Sequence, residues 1–189
     1  MPIADAEMNK SANAYLCRPA TETVFTALRA WRDTPDSFEW WWLIIEHGER
    51  QYTAIRLAGL RDLLVQRKRG VHMNTPLADL PYQRPNPDDP DHPLPGVVSA
   101  AVVDSEAVNT TRALEMVQAS PGQVLVVLQN GKFRGILSAT SRTFAFSDKP
   151  LLDLLNDFEM GGESETIIVP RSPSGEDAVV DDPSGGPHP

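Results

Sequence analysis

The stretch VLVVLQNGKFRGILS, residues 124–138, decides the fold. Two runs rich in aliphatic residues flank Asn130-Gly131, the strongest short hairpin signal in the chain, because a two-residue turn of the primed type needs positive φ at both central positions. Upstream, VVSAAVV (97–103) reads as an apolar strand. Thr110 or Thr111 then opens a helix that carries Ala113, Leu114 and Val117 at helical spacing. The order is strand, helix, hairpin.

The same order occurs earlier. In TETVFTALRAW (21–31) Val24, Ala27, Leu28 and Trp31 recur at helical spacing, with Thr21 available as an N-cap. FEWWWLIIE (38–46) is apolar at successive positions. Trp40, Trp42 and Ile44 share one face and Trp41, Leu43 and Ile45 the other, so it reads as a strand buried on both sides, with one Trp left as a candidate interface residue. HGERQ (47–51) turns the chain into YTAIRL (52–57). Leu57, Leu60, Leu63 and Leu64 then define a second helix running into Arg67, Lys68 and Arg69, cations that suit a helix C-terminus, with Gly70 as its stop. Ala27-Leu28 aligns with Ala113-Leu114, Trp42 to Ile45 with Leu125 to Leu128, and Tyr52 to Ile55 with Phe133 to Ile136. The offset slips only from 86 to 81. Residues 15–75 and 96–158 are therefore read as two similar units. Each alone buries little surface, so the two should pack together.

This doubled unit, with the stretch GKFRGILSATS (131–141), resembles a tandem CBS-domain pair, or Bateman module. The resemblance implies an α+β fold of two CBS-like β-α-β-β-α units packed as a pseudo-symmetric pair. It also implies a cleft between the units for an adenosine nucleotide (AMP, ATP) or an S-adenosyl ligand, and association as a homodimer. Family members mark the ribose-phosphate site with Gly, two apolar residues, Thr or Ser, two spacers and Asp. The hydroxyl and a helix N-terminus meet phosphate, and the carboxylate accepts from ribose hydroxyls. The matching positions are Gly135, Ser138 and Ser141, which keep the glycine and the hydroxyl but replace the Asp. In the first unit Ala54, Leu57 and Leu60 occupy the same places, so that Ala replaces the glycine and the two leucines remove the hydroxyl and the carboxylate.

Composition sets the frame around these units. Seventeen Lys and Arg against 26 Asp and Glu give a formal charge of −9, which argues against general nucleic-acid binding. Seven of the 17 prolines fall between Pro76 and Pro95, so residues 76–95 read as a connector without regular helix or inner strand. Residues 159–189 hold seven acids and one base, with five Pro and five Gly, and read as an acidic disordered tail. The tail's apolar island, Thr166 to Val169, reads as a stray hydrophobic stretch or as a strand-adding motif. Residues 1–14 read as a flexible N-terminus without a signal sequence. With no long apolar run and one cysteine, Cys17, the chain is expected to be cytoplasmic, without membrane contact or a disulfide framework.

The remaining chemistry-bearing residues are sparse. His47, His72, His92 and His188 show no metal-ligand spacing. Cys17 has no histidine placed to activate it, and Glu46-His47 and Asp104-Ser105-Glu106 mark strand ends or polar turns. No nucleophile elbow, P-loop or dinucleotide fingerprint occurs. The expectation is a non-catalytic regulatory or adaptor module acting through dimerisation or docking on a protein partner. The alternative is an adenosine-ligand sensor built at Gly135 and Ser138, with no catalytic residues and no metal.

Overall fold

The computed structural model describes Ile3 and residues 15–33, 42–65, 68–138 and 149–161. Strand β1 (Tyr15–Pro19), helix α1 (Val24–Arg32), strands β2 (Trp42–Gly48) and β3 (Gln51–Arg56) and helix α2 (Leu57–Val65) form the first unit. Short β4 (Val98–Ser99) leads to β5 (Ala101–Asp104), α3 (Thr110–Ala119), β6 (Val124–Gln129), β7 (Lys132–Ser138) and α4 (Lys149–Glu159). In each half the first strand pairs in parallel with the second, and the second turns back antiparallel into the third. Asn130 (φ 52°) and Gly131 (φ 73°) supply the positive dihedrals that the hairpin signal demands.

Strand alternation sorts the core into layers. On β2, Leu43 and Ile45 face a cluster shared with α1 and α2, whereas Trp42 and Ile44 join Tyr52 and Ala54 on the opposite face. On β6, Leu125 and Val127 pack with Ala113 and Val117 of α3, and Val124, Val126 and Leu128 turn the other way. These opposite faces meet. Trp42, Ile44, Tyr52 and Ala54 form one buried layer with Val124, Val126, Leu128 and Ile136, so the two sheets stack face to face between outer layers of helix. Burial of β2 and β6 on both sides follows from their runs of successive apolar residues.

The run VVSAAVV is not one strand. Val98 and Ser99 extend the first sheet by pairing with β3, and Ala101 to Asp104 then pair with β6 in the second, so the chain crosses between sheets at Ala100. The small side chain suits that crossing, and the Ala100 amide is satisfied by the Tyr52 carbonyl at 3.0 Å. The largely apolar run hides the switch, because residues on both sides of the crossing pack into hydrophobic clusters.

Two helix starts also differ from expectation. Thr23, not Thr21, caps α1, its Oγ1 accepting from the Thr26 amide at 3.2 Å. Ahead of it the Ala20 and Glu22 amides are spent on the Glu46 and Pro19 carbonyls, which delays the helix. Asn109 caps α3 ahead of both threonines, its Oδ1 accepting from the Arg112 amide at 2.8 Å. Helix α2 is described from Leu57 to Val65, Gln66 and Arg67 lie outside the described residues, and Arg69 takes a left-handed conformation with φ 65°.

The chain ends exchange partners. Helix α4 closes the second unit in sequence yet buries Leu151 and Leu155 in the cluster of α1 and α2. Phe158 stacks on Phe25 with ring centroids 4.8 Å apart, and Arg32 grips Glu159 through Nη1 at 2.6 Å and Nη2 at 3.0 Å. Glu159, placed in the tail by composition, is thus the last residue of a helix. Conversely Ile3, within the stretch expected to be flexible, is buried against the second unit, and its amide donates to the Ser105 carbonyl at 3.1 Å. The other residues of 1–14, and the tail from 162 with its Thr166–Val169 island and His188, lie outside the described residues.

Candidate functional site

The Pro-rich connector is tied down rather than loose. Leu77 and Leu80 are buried in the first unit's core, and the Leu77 and Ala78 amides donate to the Glu22 and Ala20 carbonyls. Beyond Pro81 the chain doubles back, bridging Tyr82 with Val97 and Arg84 with Leu94. Gly96 makes this possible: a Cβ there would stand 2.5 Å from backbone atoms of Pro81, Tyr82 and Gln83. Arg69 clasps the fold, its Nη1 donating to the carbonyls of Tyr82 (2.9 Å) and Pro95 (3.0 Å). The cationic triplet read as a solvated helix end therefore contributes a structural clamp through this member. Arg67 lies outside the described residues.

This doubled-back segment closes one side of a cleft of about 540 Å³. The first unit contributes Trp42, Ala54, Ile55 and Arg56 from the ends of β2 and β3, and Gly59 and Asp62 from α2. The connector adds Gln83, His92, Pro93, Pro95 and Gly96, with Val98 beyond it, and the turn from α3 into β6 adds Ser120 to Gln123. The volume lies in the range of small-molecule sites, and the lining mixes apolar residues with polar and charged ones. Inside, the Arg56 guanidinium lies over the Trp42 indole, 5.1 Å from its centroid. Desolvation pulls the Arg56 pKa below its usual value, and the group remains a cation at neutral pH. Asp62 is engaged by Arg61 at 2.8 and 2.9 Å, and His92 Nδ1 lies 2.9 Å from Asp89 Oδ2.

The fold is α+β, with a strand, a helix and a hairpin in the same order in each half. Neither the protein-family models nor the curated proteins contain a match to this chain. A solved structure described as a signal-transduction protein with CBS domains, from Burkholderia ambifaria MC40-6, is similar at 12% identity with a TM-score of 0.41. The similarity covers 84% of this chain and 91% of that one.

The residues singled out in the second unit sit elsewhere. Gly135 is buried in β7 opposite Val127, and Ser138 ends that strand opposite Val124. Neither is among the residues lining the described cleft. Ser138 Oγ instead accepts a hydrogen bond from Trp42 Nε1 at 3.3 Å, a polar tie between the two sheets. Ser141, together with Trp40 and Trp41, lies outside the described residues. In the first unit, Leu57 and Leu60, at the positions of the family's hydroxyl and carboxylate, are buried in the helix-side core, while Ala54 lines the cleft. Arg56 was passed over because it falls in a slot that the motif gives to an apolar residue.

The other chemistry-bearing side chains serve structure. The Tyr52 hydroxyl donates to Glu46 Oε1 at 2.9 Å, and His47 Nε2 lies 2.8 Å from Thr53 Oγ1. Arg50 Nη2 meets Asp104 Oδ2 at 2.8 Å across the seam. Burial, reinforced by the charge of Glu46, pushes the Cys17 thiol up to about 12, the opposite of an activated nucleophile. Among the described residues no group of His, Cys, Asp and Glu could hold a metal ion, and no helix is long and apolar enough to cross a membrane.

Proposed function

We propose that this chain is a non-catalytic regulatory module in which the seam cleft receives a small molecule. The observation that carries the reading is the cleft's make-up, drawn from the first unit, the connector and the α3–β6 turn of the second unit. A ligand bound there touches all three parts, so occupancy favours whichever packing of the halves fits it. An adenosine-containing ligand of the AMP, ATP or S-adenosylmethionine type is the class that the resemblance implies. The test is a thermal-shift titration of the full chain with these compounds. Ligand at ~100 times its dissociation constant stabilises the native state by about 2.7 kcal/mol. A saturable, dose-dependent rise supports the sensor; flat curves with every compound reject it.

A second reading is a module that acts without a ligand, by forming a homodimer or docking on a protein. It is favoured by Leu57 and Leu60, which put core side chains where the family pattern carries ligand-binding groups. Sedimentation over a range of concentrations tests its dimer branch: a concentration-dependent dimer with flat thermal shifts supports this reading, and a monomer throughout removes that branch.

A further inference from the structure

The doubled-back connector has a second face, turned away from the cleft. Gln83 joins the cleft lining, whereas its neighbours Tyr82 and Arg84, both in backbone bridges, are exposed and absent from that lining. Tyr82 leaves a large ring 55% exposed. Arg69 reaches the same stretch, because its Nη1 is held by the Tyr82 and Pro95 carbonyls, and the Arg84 backbone pairs with Leu94, the residue before Pro95. Those carbonyls carry no net charge, and among the described residues no carboxylate pairs with Arg69 or Arg84. Desolvation and then the charge of Arg84 pull the Arg69 pKa below its usual value, while a guanidinium remains a cation at neutral pH. An anion set on this face relieves the repulsion between the two cations.

The chain carries a segment of matching make-up. Glu176-Asp177 and Asp181-Asp182 bracket Ala178-Val179-Val180, an apolar centre between two pairs of acids. The segment follows α4, which is docked on the first unit, and the same unit anchors the connector through Leu77 and Leu80. As a tether, residues 162–175 have a root-mean-square reach of about 20 Å and a full reach of about 46 Å, against a radius of gyration of about 16 Å for a compact chain of this length. We propose that residues 176–182 dock in cis on the face of Arg69, Tyr82 and Arg84, acids on the guanidiniums and Val179-Val180 on the ring, and brace the connector from the side opposite the cleft. This goes beyond the cleft-ligand reading and does not depend on it. The tether sets an effective concentration in the millimolar range, and a few exposed contacts bind with comparable weakness, so docked and free populations are similar and the melting temperature barely responds. Capture of the segment by another molecule removes the brace from the cleft's wall.

The experiment is nuclear magnetic resonance of the full chain with a spin label on Ser184→Cys in a Cys17→Ala background. Broadening of the Tyr82, Gln83 and Arg84 amides is expected to be about three-fold stronger than at the exposed α3 residues Arg112 and Glu115, since one favoured position outweighs diffuse sampling. Raising salt from ~0.01 M to ~1 M cuts the Debye length from about 30 Å to about 3 Å and should level the two. Arg84→Glu should do the same. So should joint replacement of the four acids (Glu176→Gln, Asp177→Asn, Asp181→Asn, Asp182→Asn), which leaves the folded surface untouched. Dispersed amide signals confirm that each variant is folded. Broadening that is uniform, strongest elsewhere, or unchanged by both sets of substitutions overturns the proposal. Mixing the spin-labelled chain with an isotope-labelled chain lacking the spin label separates copies: broadening at Tyr82 to Arg84 of the latter assigns the contact to a second copy and overturns docking in cis. These outcomes leave the cleft-ligand reading to the thermal-shift titration.

Discussion

Leu155→Ala is the sharpest probe of the architecture, because it asks whether the last helix belongs to the unit that precedes it in sequence or to the first. Leu155 has no exposed surface, and its neighbours are the α1 and α2 residues of the first unit. Truncating a buried Leu to Ala removes transfer free energy and leaves a cavity, a loss of ~2–5 kcal/mol. For a chain of this size that corresponds to roughly 4–20 °C in melting temperature, taking ~2–4 °C per kcal/mol. The assay is urea unfolding followed by tryptophan fluorescence. Trp31 of α1 is buried in the same cluster and reports on the helix-side core. Pairing Phe25→Leu with Phe158→Leu in a double-mutant cycle isolates the ring contact between α1 and α4, with a coupling of ~0.5–1.5 kcal/mol expected. Deleting residues 162–189 should leave the melting temperature unchanged, and deleting from residue 149 should lower it sharply. A Leu155→Ala cost below ~0.5 kcal/mol, with no Phe25–Phe158 coupling, would refute the docking of α4 on the first unit.

Other expectations follow from individual contacts. Ser138→Ala should cost ~1–3 kcal/mol by orphaning the Trp42 N–H, and Trp42→Phe in the Ser138→Ala background should cost less than in wild type; equilibrium unfolding measures both. Gly96→Ala should destabilise by ~1–3 kcal/mol, since backbone at 2.5 Å must move, and should weaken any ligand of the cleft; thermal unfolding and titration check it. Cys17 should react with a thiol reagent far more slowly in the native than in the unfolded chain at pH 8. Because its folded pKa is raised to about 12, the unfolded chain loses this proton first, so the Cys17 contribution makes stability fall as pH rises above ~8.5; Cys17→Ala should flatten that limb. Glu159 behaves oppositely: Arg32 holds its pKa below the usual carboxylate value. Its contribution is present above ~pH 4.3 and lost as pH falls through the folded pKa, so Glu159→Gln should reduce the acid sensitivity of unfolding.

The doubled order of elements was legible because each signal is local. Helical spacing in Val24, Ala27, Leu28 and Trp31, the continuous apolar run of β2 and the Asn130-Gly131 turn are fixed by residues within one or two turns of each other. What escaped was set by partners distant in sequence. The crossing at Ala100 depends on β3 and β6, both of which accept apolar strands. Likewise Leu151 and Leu155 show that α4 has a buried face without naming the core that covers it. The site followed the same rule. A motif search finds Gly135 and Ser138 by spacing, but the cleft is assembled from the first unit, a doubled-back connector and the turn from α3 into β6. Arg69 looked like a helix end until its reach to the Tyr82 and Pro95 carbonyls was visible.

These non-local contacts bear on how binding at the cleft would be transmitted. With α4 docked on the first unit and Ile3 on the second, each half is completed by a segment from the far end of the chain. Docking of each chain end on the opposite half favours small shifts of the packed sheets over wholesale opening. At the seam, Trp42 joins three consequences of such a shift. It lines the cleft, stacks with Arg56, and hydrogen-bonds Ser138 at the end of β7. A ligand that shifts the indole would therefore act on a side chain already tied to the second sheet. Differential contact with two packings of that seam is what a regulatory reading requires. Tyr52 and Phe133, with ring centroids 5.9 Å apart across the same layer, supply a second contact that must adjust with it.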